Sequence, residues 1–505
     1  MPDGIDRDKT LVQFGGAESG AEPLTWGQKA IFDDMMESGG QFSMRGKIDL
    51  PAAGTVADAA ARVHGLLVRH ASLRMRLSVG QAARPCQEVA GSGQFSLDIL
   101  TFPDDADRAD VTRYRDHLYV TWPLERFDFQ HDWPLRAAVL RHRGACLHLV
   151  FALSHLAADG GGILLLLADL LADGTGTVKD PRHPDVLDIA RNEQTPQLRQ
   201  LSGRTMRFWE SRLMNIPPQT FGESSGRSSE YRQARFSSAA AHLAVLAISN
   251  RTGTDPSRVT LAIIATAISR ATGVPVLTLK VMVNNRFRPG MADVIAPVAQ
   301  NSVITLDVAG ASVDEVVART RAATVTAGMR AYYDPDDLNE VTARLDAERG
   351  YPARVTCRIN DQRAMIMRPN AESGPRSSPE QIQRKLEETA LTWLGPRENM
   401  HEQVLILIEN RQDVVSLHMM WDVSCLTDGQ VEALLRGVEV VAVAAAFDHE
   451  APTEVLPLKG SCAGGNAVSC LTRGTDQAMR RTSGLRDGSG LSAEARGRRG
   501  RASSG

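Results

Sequence analysis

Apolar residues in this chain recur in two rhythms. Compact apolar runs read as buried strands: Leu135 to Leu140, Cys146 to Leu153, Val276 to Val283, Val404 to Ile408 and Val415 to Met420. Longer stretches with helical spacing read as helices: Ala57 to Val68, Ile163 to Leu171, Val259 to Arg270, Ala311 to Gly328 and Val431 to Ala446. Polar turns at Arg141-His142-Arg143-Gly144 and Glu409-Asn410-Arg411-Gln412-Asp413 each join two of the strands. Strand, turn, strand, glycine turn and helix follow one another, which predicts a mixed α/β layer.

The segment Phe151-Ala152-Leu153-Ser154-His155-Leu156-Ala157-Ala158-Asp159-Gly160-Gly161-Gly162 is the richest junction. A buried strand delivers a histidine, then an aspartate four residues on, then three glycines that open an apolar helix. A histidine there is held rigidly with one nitrogen facing a cleft, as a general base requires. A packed core histidine is the plainer reading of the same pattern.

With 43% hydrophobic and 23% charged residues, the composition is that of an ordinary soluble protein, and the net charge of −3 gives no electrostatic reason to expect nucleic acid or membrane surfaces as partners. The six cysteines (Cys86, Cys146, Cys357, Cys425, Cys462, Cys470) form no Cys-x-x-Cys pair. Neither a zinc site nor a disulfide framework is therefore expected, and a cytoplasmic location fits. The charged start Met1 to Asp8 lacks the apolar core of a signal peptide, and the longest apolar stretch is far shorter than a membrane span. Residues 1–21, polar and glycine-rich, read as flexible. Pro217 to Gly226 reads as a linker. From Lys459 to Gly505, nine Lys/Arg face three Asp/Glu, so residues 451–505 read as a disordered basic tail. A phosphate-binding reading of Gly160-Gly161-Gly162 is poor, because Gly-x-Gly-x-x-Gly spacing is absent.

Seven segments, in order, carry a family resemblance. They are Leu24-Thr25-Trp26-Gly27-Gln28-Lys29-Ala30-Ile31-Phe32; Arg69-His70-Ala71-Ser72-Leu73-Arg74-Met75-Arg76; Phe127-Asp128-Phe129 with Trp133-Pro134-Leu135-Arg136-Ala137; Ser154-His155-Leu156-Ala157-Ala158-Asp159-Gly160; Phe208-Trp209-Glu210-Ser211-Arg212-Leu213 with Pro217; Val259 to Gly273 with Val283-Asn284-Asn285-Arg286; and Val298-Ala299-Gln300-Asn301-Ser302-Val303-Ile304. Together they resemble condensation domains of nonribosomal peptide synthetases, within the chloramphenicol-acetyltransferase-like superfamily. The fourth segment is similar to the His-His-x-x-x-Asp-Gly signature, with Ser154 in place of the first histidine.

The resemblance implies an α/β fold of two acetyltransferase-like lobes, residues 22–183 and 231–450, joined through a connecting helix and linker at 184–230. The lobes would form a V-shaped pseudo-dimer with a substrate tunnel between them. It implies a free-standing, monomeric acyltransferase of antibiotic or other natural-product assembly, with no resident cofactor and no metal. The donor would be a phosphopantetheinyl thioester on an acyl or peptidyl carrier protein, and the acceptor a small amine or alcohol. His155 would be general base. Asp159 would pair with Arg286 to fix the loop, a turn or helix N-cap residue being the plainer reading. The Gly160 amide would hold the oxyanion or simply serve the turn. Ser154, Asn301 and Trp421 are the substrate-binding candidates. A coenzyme A-dependent O- or N-acyltransferase and a catalytically silent carrier-binding module are the alternatives.

Overall fold

A computed structural model describes residues 4–15, 18–51, 54–79, 85–172, 184–216, 221, 230–365, 378–397 and 402–456. The first part of the chain runs β1 (Asp6–Phe14), β2 (Gly20–Pro23), α1 (Trp26–Ser38), β3 (Ser43–Asp49), α2 (Val56–Arg69), β4 (Met75–Val79), β5 (Pro85–Val89), β6 (Gly93–Phe102), α3 (Arg108–Thr121), β7 (Leu135–His142), β8 (Ala145–Ser154) and α4 (Gly160–Leu171). Five of these strands form a sheet in the order β1-β6-β7-β8-β3, with only the β6–β7 pairing parallel. Strands β2, β5 and β4 form a small antiparallel sheet. Helices α5 (Val186–Glu193) and α6 (Pro196–Leu213) follow.

The remainder runs β9 (Tyr231–Ser238), α7 (Ala239–Thr252), α8 (Pro256–Thr272), β10 (Val276–Val283), β11 (Gln300–Asp307), α9 (Val313–Met329), α10 (Pro335–Arg349), β12 (Cys357–Asp361), α11 (Pro379–Lys385), β13 (Ala390–Arg397), β14 (Val404–Glu409), β15 (Val415–Asp422) and α12 (Asp428–Phe447). These strands build a seven-stranded sheet ordered β11-β10-β12-β14-β15-β9-β13.

The two larger sheets are buried differently. In the five-stranded sheet both faces are covered. Leu149, Phe151 and Leu153 of β8 pack with Val63, Leu66 and Leu67 of α2 and Leu166 of α4. Val150 packs on the other face with Val111 and Leu118 of α3. The whole of β8 beyond Ala145 is therefore buried, which explains its near-continuous apolar run. The seven-stranded sheet buries one face under α7, α8, α9 and α12. Its other face is only partly covered: along β14, Val404, Ile406 and Ile408 are buried while Leu405 and Leu407 are partly exposed.

Two sequence expectations are corrected. The stretch expected to be a flexible N-terminus contains β1, which pairs residue for residue with β6 from Asp6↔Thr101 to Phe14↔Gly93. Only Val12 and Phe14 of β1 reach the core, and an edge strand that is otherwise polar carries little apolar signal. The expected tail also begins too early. Residues 451–456 run along residues 308–313, with the Val313 amide donating to the Ala451 carbonyl and the Thr453 amide to the Ala311 carbonyl, both at 2.9 Å. Ala451 and Val455 are buried in the core of the seven-stranded sheet. The basic segment from Lys459 onward lies outside the described residues, as does most of the expected linker, whose Phe221 is described and buried in that same core. Among the described residues, no helix is long and apolar enough to cross a membrane.

Candidate active site

The turn after β8 is fixed through its backbone. The Ser154 amide donates to the Pro134 carbonyl at 2.8 Å, the His155 amide to the Phe42 carbonyl at 2.9 Å, and the Ala157 amide to the Ser154 carbonyl at 2.9 Å. The His155 imidazole is partly exposed. Its Nδ1 is buried and has no hydrogen bond of good geometry. Burial holds the pKa of His155 below the usual histidine value, against the opposing pull of the His155 and Ala158 backbone, Asp159 and Asp34. With Nδ1 buried, Nε2 is the nitrogen on the open side, and the lowered pKa leaves the ring neutral at pH 7.

Asp159 is both an N-cap and half of an ion pair. As N-cap of α4 it accepts from the Gly162 amide at 2.8 Å. Its Oδ1 lies 2.7 Å from Arg286 Nη2, and its Oδ2 accepts from Arg286 Nη1 at 2.9 Å. Oδ2 also accepts from the Val298 and Ala299 amides, at 3.0 and 2.9 Å. Burial alone would raise its pKa. The Arg286 charge and these hydrogen bonds outweigh burial and hold the carboxyl below the usual range. A carboxylate with four hydrogen bonds and a second ion-pair contact to Arg286 is committed to its partners, so Asp159 positions the turn rather than carrying a proton. Arg286, in turn, donates to the Val294 carbonyl at 3.0 Å and the Ala296 carbonyl at 3.2 Å.

Gly161 is required by this pair, since a β-carbon there would stand 2.6 Å from Arg286 Nη1 and 2.8 Å from its Cζ. Gly160 occupies the first position of α4, where an amide has no partner within the helix. Ser154 is 1% exposed and its hydroxyl accepts from the Leu156 amide at 3.3 Å, so the group that replaces the first signature histidine is engaged locally.

Helix α1, which sequence reasoning left without a role, braces the same turn. Gln28 is fully buried. Its Nε2 donates to the Leu156 carbonyl at 3.3 Å and to Gln87 at 3.2 Å, while its Oε1 accepts from the Thr25 amide at 2.9 Å. Gly27 sits so close that a β-carbon would lie 1.9 Å from the Pro297 carbonyl oxygen. Further along α1, Lys29 pairs with Asp334 at 3.0 Å and Asp336 at 2.9 Å, and Asp34 lies 3.3 Å from Arg358. Arg358 and Lys280 both grip Glu402, at 2.7 and 2.8 Å. Burial would raise the Glu402 pKa, but these two cations pull it down to about 2. Membership of Gln28 in the first sequence motif was the available signal for this helix.

Trp421 is corrected as a substrate-binding residue. It is fully buried in the core of the seven-stranded sheet, on the same face of β15 as Leu417 and Met419. Asn301 lies on the opposite, partly open face, paired with Met282 across β10 and β11. A cavity of about 610 Å³ between α6 and α10, lined by Arg199, Met206, Asp337 and Arg344 among others, contains no residue of the His155 turn. Among the described residues, Glu18, Asp185 and Asp188 are the group with cation-site spacing. None of them belongs to that turn, and Asp185 already caps α5.

Residues 42–350 match the condensation domain family. A search of curated protein sequences finds no match. Among solved structures, the condensation domain behind chain release from the enacyloxin polyketide synthase is similar at TM-score 0.66 and 15% identity, covering 89% of this chain and 85% of its own. SgcC5 from Streptomyces globisporus, solved with (R)-(-)-1-(2-naphthyl)-1,2-ethanediol and sucrose, is similar at TM-score 0.62 and 19% identity, covering 85% and 100%. The X-domain from teicoplanin biosynthesis is similar at TM-score 0.63 and 17% identity, covering 88% and 99%. With the family profile spanning more than half of its length, the chain belongs to the condensation domain family.

Proposed function

We propose that the protein is a condensation-type acyltransferase that joins an acyl group, presented as a phosphopantetheinyl thioester on a carrier protein, to a small amine or alcohol. One observation carries this reading. His155 is neutral, has Nε2 on its open side, and stands on a turn locked by the Asp159–Arg286 pair. Nε2 takes the proton of the acceptor N–H or O–H as that atom attacks the thioester carbonyl. The tetrahedral intermediate then expels the thiolate, which takes the proton back as the thiol. Gly160, at the N-terminus of α4, offers an amide to the oxyanion. The diol held by SgcC5 supports including alcohols among the acceptors.

The test is intact-mass acyl transfer from loaded carrier proteins to mixed amines and alcohols, with free coenzyme A thioesters as a parallel donor arm. His155→Ala is expected to lose about a hundredfold or more in rate. Equal product from both proteins would remove His155 as the base. Turnover with coenzyme A donors alone would make the donor soluble. The X-domain from teicoplanin biosynthesis, solved in complex with OxyB, favours a second reading as a partner-recruiting module. That reading predicts carrier binding without turnover in either protein.

A further inference from the structure

The partly open face of the seven-stranded sheet meets the His155 turn at a definite row. Strand β10 ends at Val283, three residues before Arg286, and β11 begins at Gln300, one residue after Ala299. Arg286 and the Ala299 amide both hold Asp159. The last open-face residue of β10 is Met282 and the first of β11 is Asn301, and the two are register partners. In the parallel β10–β12 pairing, Lys280 faces Arg358 and Val281 faces Ile359, so the next step sets Met282 beside Asn360. Asn301, Met282 and Asn360 thus stand side by side on three neighbouring strands, each spaced about 5 Å from the next. Leu407 of β14 and His418 of β15 continue the row.

All three leading side chains are partly exposed, yet the Oδ1 atoms of Asn301 and Asn360 are buried and have no hydrogen-bond partner. Buried acceptors without partners are uncommon and call for an explanation. The row also lacks charge. The cations one step away, Lys280 and Arg358, are engaged by Glu402 and Asp34. The two unpartnered acceptors therefore match a group that carries its own hydrogen-bond donors, and with Lys280 and Arg358 already paired no free cation among the described residues stands beside the row to balance a carboxylate or phosphate.

Resting on the acyltransferase reading, we propose that Asn301 and Asn360, on either side of Met282, form the subsite that selects a neutral substrate group bearing hydroxyl or amide N–H donors. Such a group belongs to the acyl chain or to the acceptor, and two arms separate these. In the first, 3-hydroxybutyryl-, butyryl- and succinyl-N-acetylcysteamine are compared as donors. In the second, ethanolamine is compared with ethylamine as acceptor. The wild type is expected to favour the hydroxylated member of one pair about tenfold in kcat/KM, and Asn301→Leu and Asn360→Leu to bring that preference to within about twofold. Melting midpoints should hold, because neither variant loses an existing hydrogen bond.

Equal rates in both arms for the wild type, a preference retained in both variants, or a preference for the succinyl donor would overturn the subsite. If the wild type transfers none of these groups, calorimetric binding of the same pairs decides. A tenfold binding preference abolished by the two variants supports the subsite although acyl transfer has failed, and equal or undetectable binding overturns it.

Discussion

Glu193 offers a quantitative test of how the elements around the site are joined. It is the last residue of α5 and is 1% exposed. Its Oε2 accepts from the Trp26 amide at 2.8 Å, and its Oε1 accepts from the Tyr332 hydroxyl at 2.5 Å. The carboxyl therefore sits where α5, the start of α1 and the segment before α10 meet. Burial pushes its pKa up to about 8, only partly countered by those two hydrogen bonds and Lys29, while the nearby Asp334 adds to the rise. Arg288 lies over the Tyr332 ring at 5.3 Å without contacting the carboxyl. A carboxyl whose pKa is raised on folding contributes stability in full below its unfolded value, and that contribution is lost as pH rises through the folded value. From an ordinary 4.5 to about 8, at about 1.36 kcal/mol per pH unit, the loss is bounded near 5 kcal/mol, with about 3 kcal/mol already gone at pH 7. Glu193→Gln keeps an acceptor for the Trp26 amide and supplies a donor for the Tyr332 oxygen, without a charge. Chemical denaturation of both proteins from pH 4.5 to 9 should give curves that converge at the acid end and separate steadily above it, with the variant more stable. Parallel curves across the whole range would refute a buried carboxyl that ionises within it.

Replacing Asp159 with Ala or Arg286 with Met should each cost about 3–5 kcal/mol, because the remaining charge is left buried; a double-mutant cycle by denaturation should show strong non-additivity. Gly161→Ala should destabilise by about 1–3 kcal/mol by forcing the guanidinium off Asp159, measurable as a lowered melting midpoint together with reduced turnover. The depressed His155 pKa places the acid limb of the kcat/KM profile below the ordinary histidine value of 6.5; a limb at or above pH 6.5 would contradict the burial seen here.

The sequence was most legible where apolar residues run nearly unbroken. Val276 to Val283 reads as a strand because β10 lies between β11 and β12, and its predicted bounds are those of the structure. The α4 helix and the turn before it were visible for the same reason. Legibility failed where a strand is polar on one side and lies at an edge, as in β1, and where the face of a strand decides a role, as at Trp421. Asp159 and Arg286 are far apart in sequence, and only the family resemblance connected them. The Asn301–Met282–Asn360 row was out of reach, since it depends on β12 inserting beside β10, and strand order is not written in periodicity.

The spacing of the signature follows from what Asp159 holds. His155 must stand at the end of β8, where the strand backbone fixes it through Phe42. Four residues later the chain has turned and reached the N-cap of α4, so a carboxylate at that position can direct one oxygen back to the helix amide of Gly162 and the other outward. The outward oxygen collects the Val298 and Ala299 amides and Arg286, all contributed from the neighbourhood of the seven-stranded sheet. One side chain therefore ties the end of the five-stranded sheet, the start of α4 and the ends of β10 and β11 to a common point. An asparagine there could keep the helix cap but would leave Arg286 without a counter-charge, and a glutamate would overshoot the Gly162 amide. The aspartate is thus needed for its length and its charge together, and the chemistry assigned to His155 depends on a residue that carries no proton.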